Sequence, residues 1–140
     1  MSALDVVDAV ALGLPGVTKA LDDGRPGYSV GGKWFCFHRK QRKDTGDLTD
    51  VFVFRVDGLE EKELLLADVR GIFFTTPHWG STAAVLTRIP QLDELDEDEL
   101  RDLVIEAWLT RAPKRVAKAW LTDQEVSGGR LIMIVRGCGR

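Results

Sequence analysis

The chain has 140 residues, 44% of them hydrophobic and 29% charged, with a formal net charge of -3. That length and balance fit one globular domain burying about two-thirds of its unfolded surface, and they exclude a disordered or fibrous chain. A negative whole-molecule field also excludes a uniformly cationic surface, so any site for a polyanion must be a local patch.

Ser2 followed by Asp5 predicts a capped helix start, and Leu4, Val7, Ala11 and Leu14 recur at helical spacing on one apolar stripe. Pro15-Gly16 stops that helix. Short strands follow at about 17–22, 27–31, 32–38 and 50–57, with Gly31-Gly32 as the turn between two of them. Residues 59–68 read as a short helix whose apolar face is Leu64, Leu65 and Leu66. Strands at about 72–75 and 82–89 flank the polar loop 76–81.

Asp96 with Glu99 is a capping-box start for the clearest helix, which aligns Leu100, Leu103, Val104, Ala107 and Trp108. Pro113 marks the first turn of a last helix with Val116, Ala117, Trp120 and Leu121 on its apolar side. This order predicts an α+β fold: an antiparallel sheet of about five to six strands with N- and C-terminal helices packed on one face. A single domain over 1–125 is expected. Residues 126–140 are expected to be an extension, either an edge strand built on the apolar run 131–135 or disordered.

The two cysteines, Cys36 and Cys138, fall in no metal-ligand spacing and suggest no disulfide framework. Cys36, among Trp34, Phe35 and Phe37, reads as a small buried strand thiol, and Cys138 as exposed in the Gly-rich terminus. No run approaches the roughly 18 apolar residues of a membrane span, and Asp5 and Asp8 interrupt the first apolar stretch. A cytoplasmic protein without a membrane partner is the expectation.

Two basic clusters stand out. Residues 33–43 contain Lys33, Arg39, Lys40, Arg42 and Lys43 and no acid, a composition suited to a hairpin lying along phosphates, with Trp34 as a stacking surface. The competing reading is a solvated hairpin neutralised by Asp44, Asp47 and Asp50. Arg111, Lys114, Arg115 and Lys118 form the second cluster and share adjacent helical rows. If it adjoins the first, one groove with up to nine positive charges results. The alternative is a helix-end cation at Arg111, with the others paired to Asp98, Asp102 or Glu106.

Thr76, His78 and Trp79 form the candidate small-molecule pocket, since a histidine beside an aromatic can orient a ligand. In the competing reading Trp79 packs over the sheet and His78 bonds the backbone. The acidic run 93–102 lacks calcium-loop spacing and reads as a solvated helix start. No nucleophile elbow, phosphate loop, dinucleotide fingerprint or paired-cysteine motif is present, so no catalytic residue, metal or cofactor is assigned.

Four segments resemble the MmcQ/YjbR family over about residues 4–121. They are Ala11-Leu12-Gly13-Leu14-Pro15-Gly16-Val17-Thr18, Tyr28-Ser29-Val30-Gly31-Gly32-Lys33-Trp34-Phe35, Phe73 through Gly80, and Ala107 through Arg115. The resemblance implies a CyaY-like fold and a double-wing mode of DNA contact. Frataxin relatives of that fold bind cations through an acidic first helix, which here contributes only Asp5 and Asp8. Two departures are Lys19, where relatives are often acidic, and the long polar stretch 39–50. The expected role is a non-enzymatic binding protein, with DNA of low sequence specificity as first partner. The rival is a small-ligand or protein-interaction module at the 76–79 loop, and the oligomeric state is left open.

Overall fold

The computed structural model describes residues 2–46 and 48–127, with side chains described through Gln124. Helix α1 spans Ala3–Leu12. The Ser2 hydroxyl accepts from the Asp5 amide and the Asp5 carboxylate accepts from the Ser2 amide, which completes the predicted capping box. Val7 and Ala11 are fully buried, with Leu14 beside them, so the predicted stripe faces the core.

The strands are β1 (Val17–Asp22), β2 (Arg25–Val30), β3 (Lys33–Arg39), β4 (Val51–Arg55), β5 (Phe73–Phe74) and β6 (Ala84–Arg88). They form one six-stranded sheet in the order β1-β2-β3-β4-β6-β5, with every neighbouring pair antiparallel. The fold is therefore α+β, as the element order predicts. Strand β5 has two residues, and after Thr75 and Thr76 the chain turns at Pro77–Trp79.

The helices after the sheet begins are α2 (Gly58–Leu66), α3 (Ile89–Leu92), α4 (Glu97–Arg111) and α5 (Lys114–Ser127). Sequence patterning misses α3, a single turn opened by Pro90. The Asp96–Glu99 capping box starts α4 as predicted. Pro113 sits one position earlier than predicted, at the cap of α5, where its carbonyl accepts from the Ala117 amide at 2.9 Å. None of the described helices is long and apolar enough to cross a membrane.

The main core lies between the sheet and helices α1 and α4. Trp108 is wholly buried there, and its indole N–H donates to the Pro15 carbonyl at 3.2 Å. Trp120 of α5 meets it edge-on with ring centres 5.5 Å apart. Cys36 is wholly buried, and burial pushes its thiol pKa well up.

Helix α2 departs from the expected apolar face. Leu64 is 66% exposed, Leu65 and Leu66 are half-buried, and the buried residue is Lys62. Beyond Ser127, the expected extension and Cys138 lie outside the described residues.

Candidate binding face of the sheet

A bulge in β3 builds the second face. Tyr28 pairs with Cys36 and Ser29 with Trp34, so Phe35 is an extra residue in the ladder. Phe35 and Cys36 consequently both join the helix-side core, while Trp34 and Phe37 both face away from it. Val51 and Val53 of β4 and Ala84 and Leu86 of β6 extend this outer face by period-two alternation. Arg39 follows Phe37, and Arg55 follows Val53, at the same spacing.

Arginines and indoles interleave across the face. Arg55 and Arg111 lie over the Trp34 ring at 5.5 and 6.0 Å, and Arg39 lies over the Trp79 ring at 5.4 Å. Trp34 contacts Phe37 and Trp79 edge-on, at 4.9 and 6.0 Å. Trp34 thus faces outward, but packed neighbours already occupy it and it offers no free stacking platform. Burial, then the charge of Arg111, lowers the Arg55 pKa.

The 76–79 loop folds onto this face as a 3-10 turn, Pro77–Trp79, with Trp79 buried at 8% exposure. Trp79 therefore packs over the sheet, whereas His78 is exposed and rests edge-on against that indole at 5.6 Å. The His78 side chain makes no hydrogen bond among the described residues. Three groups anchor the loop. Thr76 donates to Asp44 at 2.7 Å, Asp44 accepts from Arg39 at 2.8 Å, and Lys62 donates to the carbonyls of Trp79 and Thr82 at 2.5 and 2.8 Å. Burial raises the Asp44 pKa, but the hydrogen bonds from Arg39 and Thr76 outweigh it and leave the carboxyl below its ordinary value. Burial lowers the Lys62 pKa.

Beside the loop opens a cavity of about 890 Å³. Its walls come from the β1–β2 hairpin, the end of β3, the segment after it, and His78 with Trp79. Five Lys/Arg residues (Arg25, Arg39, Lys40, Arg42 and Lys43) line it against two acids, Asp22 and Asp44. The cavity therefore joins the end of the predicted basic hairpin to the predicted ligand loop, through Asp44 and Thr76, which are 32 residues apart in sequence.

The two basic clusters do not form one groove. Arg111 donates to the Trp34 carbonyl at 3.2 Å, and Pro113 abuts Gly31, so the second cluster sits at the start of β3 beside Lys33. Arg39 through Lys43 sit at the other end of that strand. Arg39 is 6% exposed and paired with Asp44, and Lys40 meets Asp22 at 3.5 Å. Lys33, Arg42, Lys43, Lys114, Arg115 and Lys118 are exposed and make no ion pair among the described residues.

Sequence reasoning missed Lys62, Arg25, Arg55 and the bridging role of Asp44. Strand alternation past Val53 carried a usable signal for Arg55. No local pattern marks Lys62, because a lysine in a charged helix reads as solvated. No group of three or more His, Cys, Asp or Glu able to hold a metal occurs among the described residues.

The family model YjbR matches residues 12–110. The chain belongs to the YjbR family. Uncharacterized proteins of Mycobacterium tuberculosis (strain ATCC 25618 / H37Rv) and Mycobacterium bovis are each 33% identical over 133 residues, covering 88% of this chain and 98% of the relative. No solved structure matches the chain significantly. The YjbR match includes all six strands, the 39–44 segment, Lys62 and the Trp79 loop. It ends before Lys114, Arg115 and Lys118, so that half of the cationic surface lies outside the matched region.

Proposed function

We propose that this YjbR-family protein is a binding protein that engages DNA through the phosphate backbone, with little sequence preference. The observation that carries this reading is a group of six exposed cations at the two ends of β3 that make no ion pair among the described residues. Lys33, Lys114, Arg115 and Lys118 form one end, and Arg42 and Lys43 the other. Seven residues of extended chain separate the ends by roughly 20 Å, which spans about six phosphates of one strand. Two separated basic contacts, one from the start of β3 with α5 and one from the segment after β3, fit a double-wing arrangement.

Arg39 leaves the footprint that sequence alone suggests, because its charge is turned inward to Asp44 and Trp79. Lys40 is partly neutralised by Asp22 and contributes less. Contacts of this kind fix position on a duplex without reading bases. The test is charge reversal of Arg42 and Lys43 together, and of Lys114 and Lys118 together. Each pair should weaken duplex binding and flatten its salt dependence by about 0.9 per lost phosphate contact. Unchanged affinity in both double variants contradicts the reading.

A further inference from the structure

The cavity beside Trp79 has a chemical bias that DNA backbone contact does not use. Four buried side-chain nitrogens among the described residues lack a hydrogen-bond partner: Arg25 Nε, Arg39 Nη1, Arg55 Nε and Trp79 Nε1. All four are donors, and three belong to residues lining this one cavity. Arg39 and Trp79 are each more than nine-tenths buried. A buried donor without an acceptor costs about 1–3 kcal/mol, so an acceptor brought by a ligand would stabilise such a group.

We infer that the cavity binds a phosphomonoester carrying a flat apolar body, of the nucleoside-monophosphate class. Five cations line the cavity against Asp22 and Asp44, and Asp23 pairs with Arg25 at 3.5 Å, which leaves an excess of two positive charges and suits a group of about -2 charge. Arg25, Arg39 and Trp79 stand on β2, at the end of β3 and in the Trp79 loop. A carboxylate presents two oxygens in one plane, whereas a terminal phosphate presents three in a pyramid and meets such a spread. Phe37, Pro26 and the Trp79 indole supply the apolar walls for the body. The volume falls within the range of about 300–1,000 Å³ typical of ligand sites. Arg39 is held ready for this role, since Asp44 takes its Nη2 and leaves Nη1 unpaired. Lys40, Arg42 and Lys43 rim the mouth. The phosphate has two sources, a free nucleotide or the 5′-phosphorylated end of a strand. This site stands whether or not duplex DNA is bound.

The experiment is calorimetric titration of the full chain with AMP, adenosine and inorganic phosphate, then with a short single strand carrying or lacking a 5′-phosphate. AMP should bind about tenfold or more tightly than either adenosine or phosphate. Arg25→Gln, a half-buried position, should weaken AMP by a similar factor while leaving the melting temperature in place. Trp79→Phe keeps a ring over the sheet but removes the N–H, and should also weaken AMP. Preference for the phosphorylated strand end over AMP supports the site with strand ends as its source, and preference for AMP supports it with the free nucleotide. AMP binding no better than adenosine or phosphate, or unaffected by both variants, overturns the inference.

Discussion

The Lys62 ammonium, on a side chain 3% exposed, donates to the Trp79 carbonyl at 2.5 Å and to the Thr82 carbonyl at 2.8 Å. One lysine of α2 thereby fixes both sides of the turn that lays Trp79 across the outer sheet face. Charged groups are rarely buried unless their donors are used, and here two carbonyls use them.

Lys62→Ala should remove that clamp and leave a void, lowering stability by about 2–3 kcal/mol. The specific signature is local: amides of 76–84 should exchange faster than those of β3 and β4 in hydrogen-exchange measurements. Equal protection across both regions would mean that the loop holds without Lys62.

Acid should loosen the same region. Asp44 and Asp50 both titrate below the ordinary value of 3.8 in the folded protein; hydrogen bonds from Arg39 and Thr76 outweigh burial at Asp44, and Arg88 is the chief cause at Asp50. Asp8 is also lowered, by Lys19 and then Tyr28. An unfolded chain therefore binds protons more readily than the folded one as pH falls toward and below that value. The stability from these carboxylates is fully present above about pH 5 and is lost as pH drops through their folded pKa values. Asp44→Asn should lower the melting temperature at pH 7 and show a shallower acid decline than the parent. A parallel decline in both proteins would contradict the assignment.

Trp108 locks α4 to the end of α1 through the Pro15 carbonyl. Trp108→Phe should cost about 1–2 kcal/mol through the lost hydrogen bond and volume, and Trp108→Ala about 3–5 kcal/mol. Denaturant melts with unchanged slope would check that the change is one of stability. A neutral Trp108→Phe variant would place the anchoring of α1 elsewhere.

Local chemistry explains which parts of this structure the sequence makes legible. Ser2 with Asp5 and Asp96 with Glu99 satisfy their own helix ends, so those starts are readable without the fold. Leu100 through Trp108 at helical spacing are likewise buried together. The 76–79 loop and the 39–44 segment each carry unusual residues, so both stand out as candidates. That they share one cavity depends on the Thr76–Asp44 bond, which no local pattern encodes. The inward turn of Arg39 is set by the strand running one residue past His38. Burial of Lys62 in place of Leu64 is set by where α2 docks on β6, a tertiary matter.

The most direct measurement is fluorescence anisotropy of a mixed-sequence DNA duplex with the full chain across a salt titration. Six exposed cations in contact with phosphates predict a fall in log affinity against log salt with a slope of about -5.4. Charge reversal at Arg42 and Lys43 should bring that slope to about -3.6. Absence of binding at about 50 mM salt, or affinity indifferent to salt, would contradict DNA as the partner of this surface.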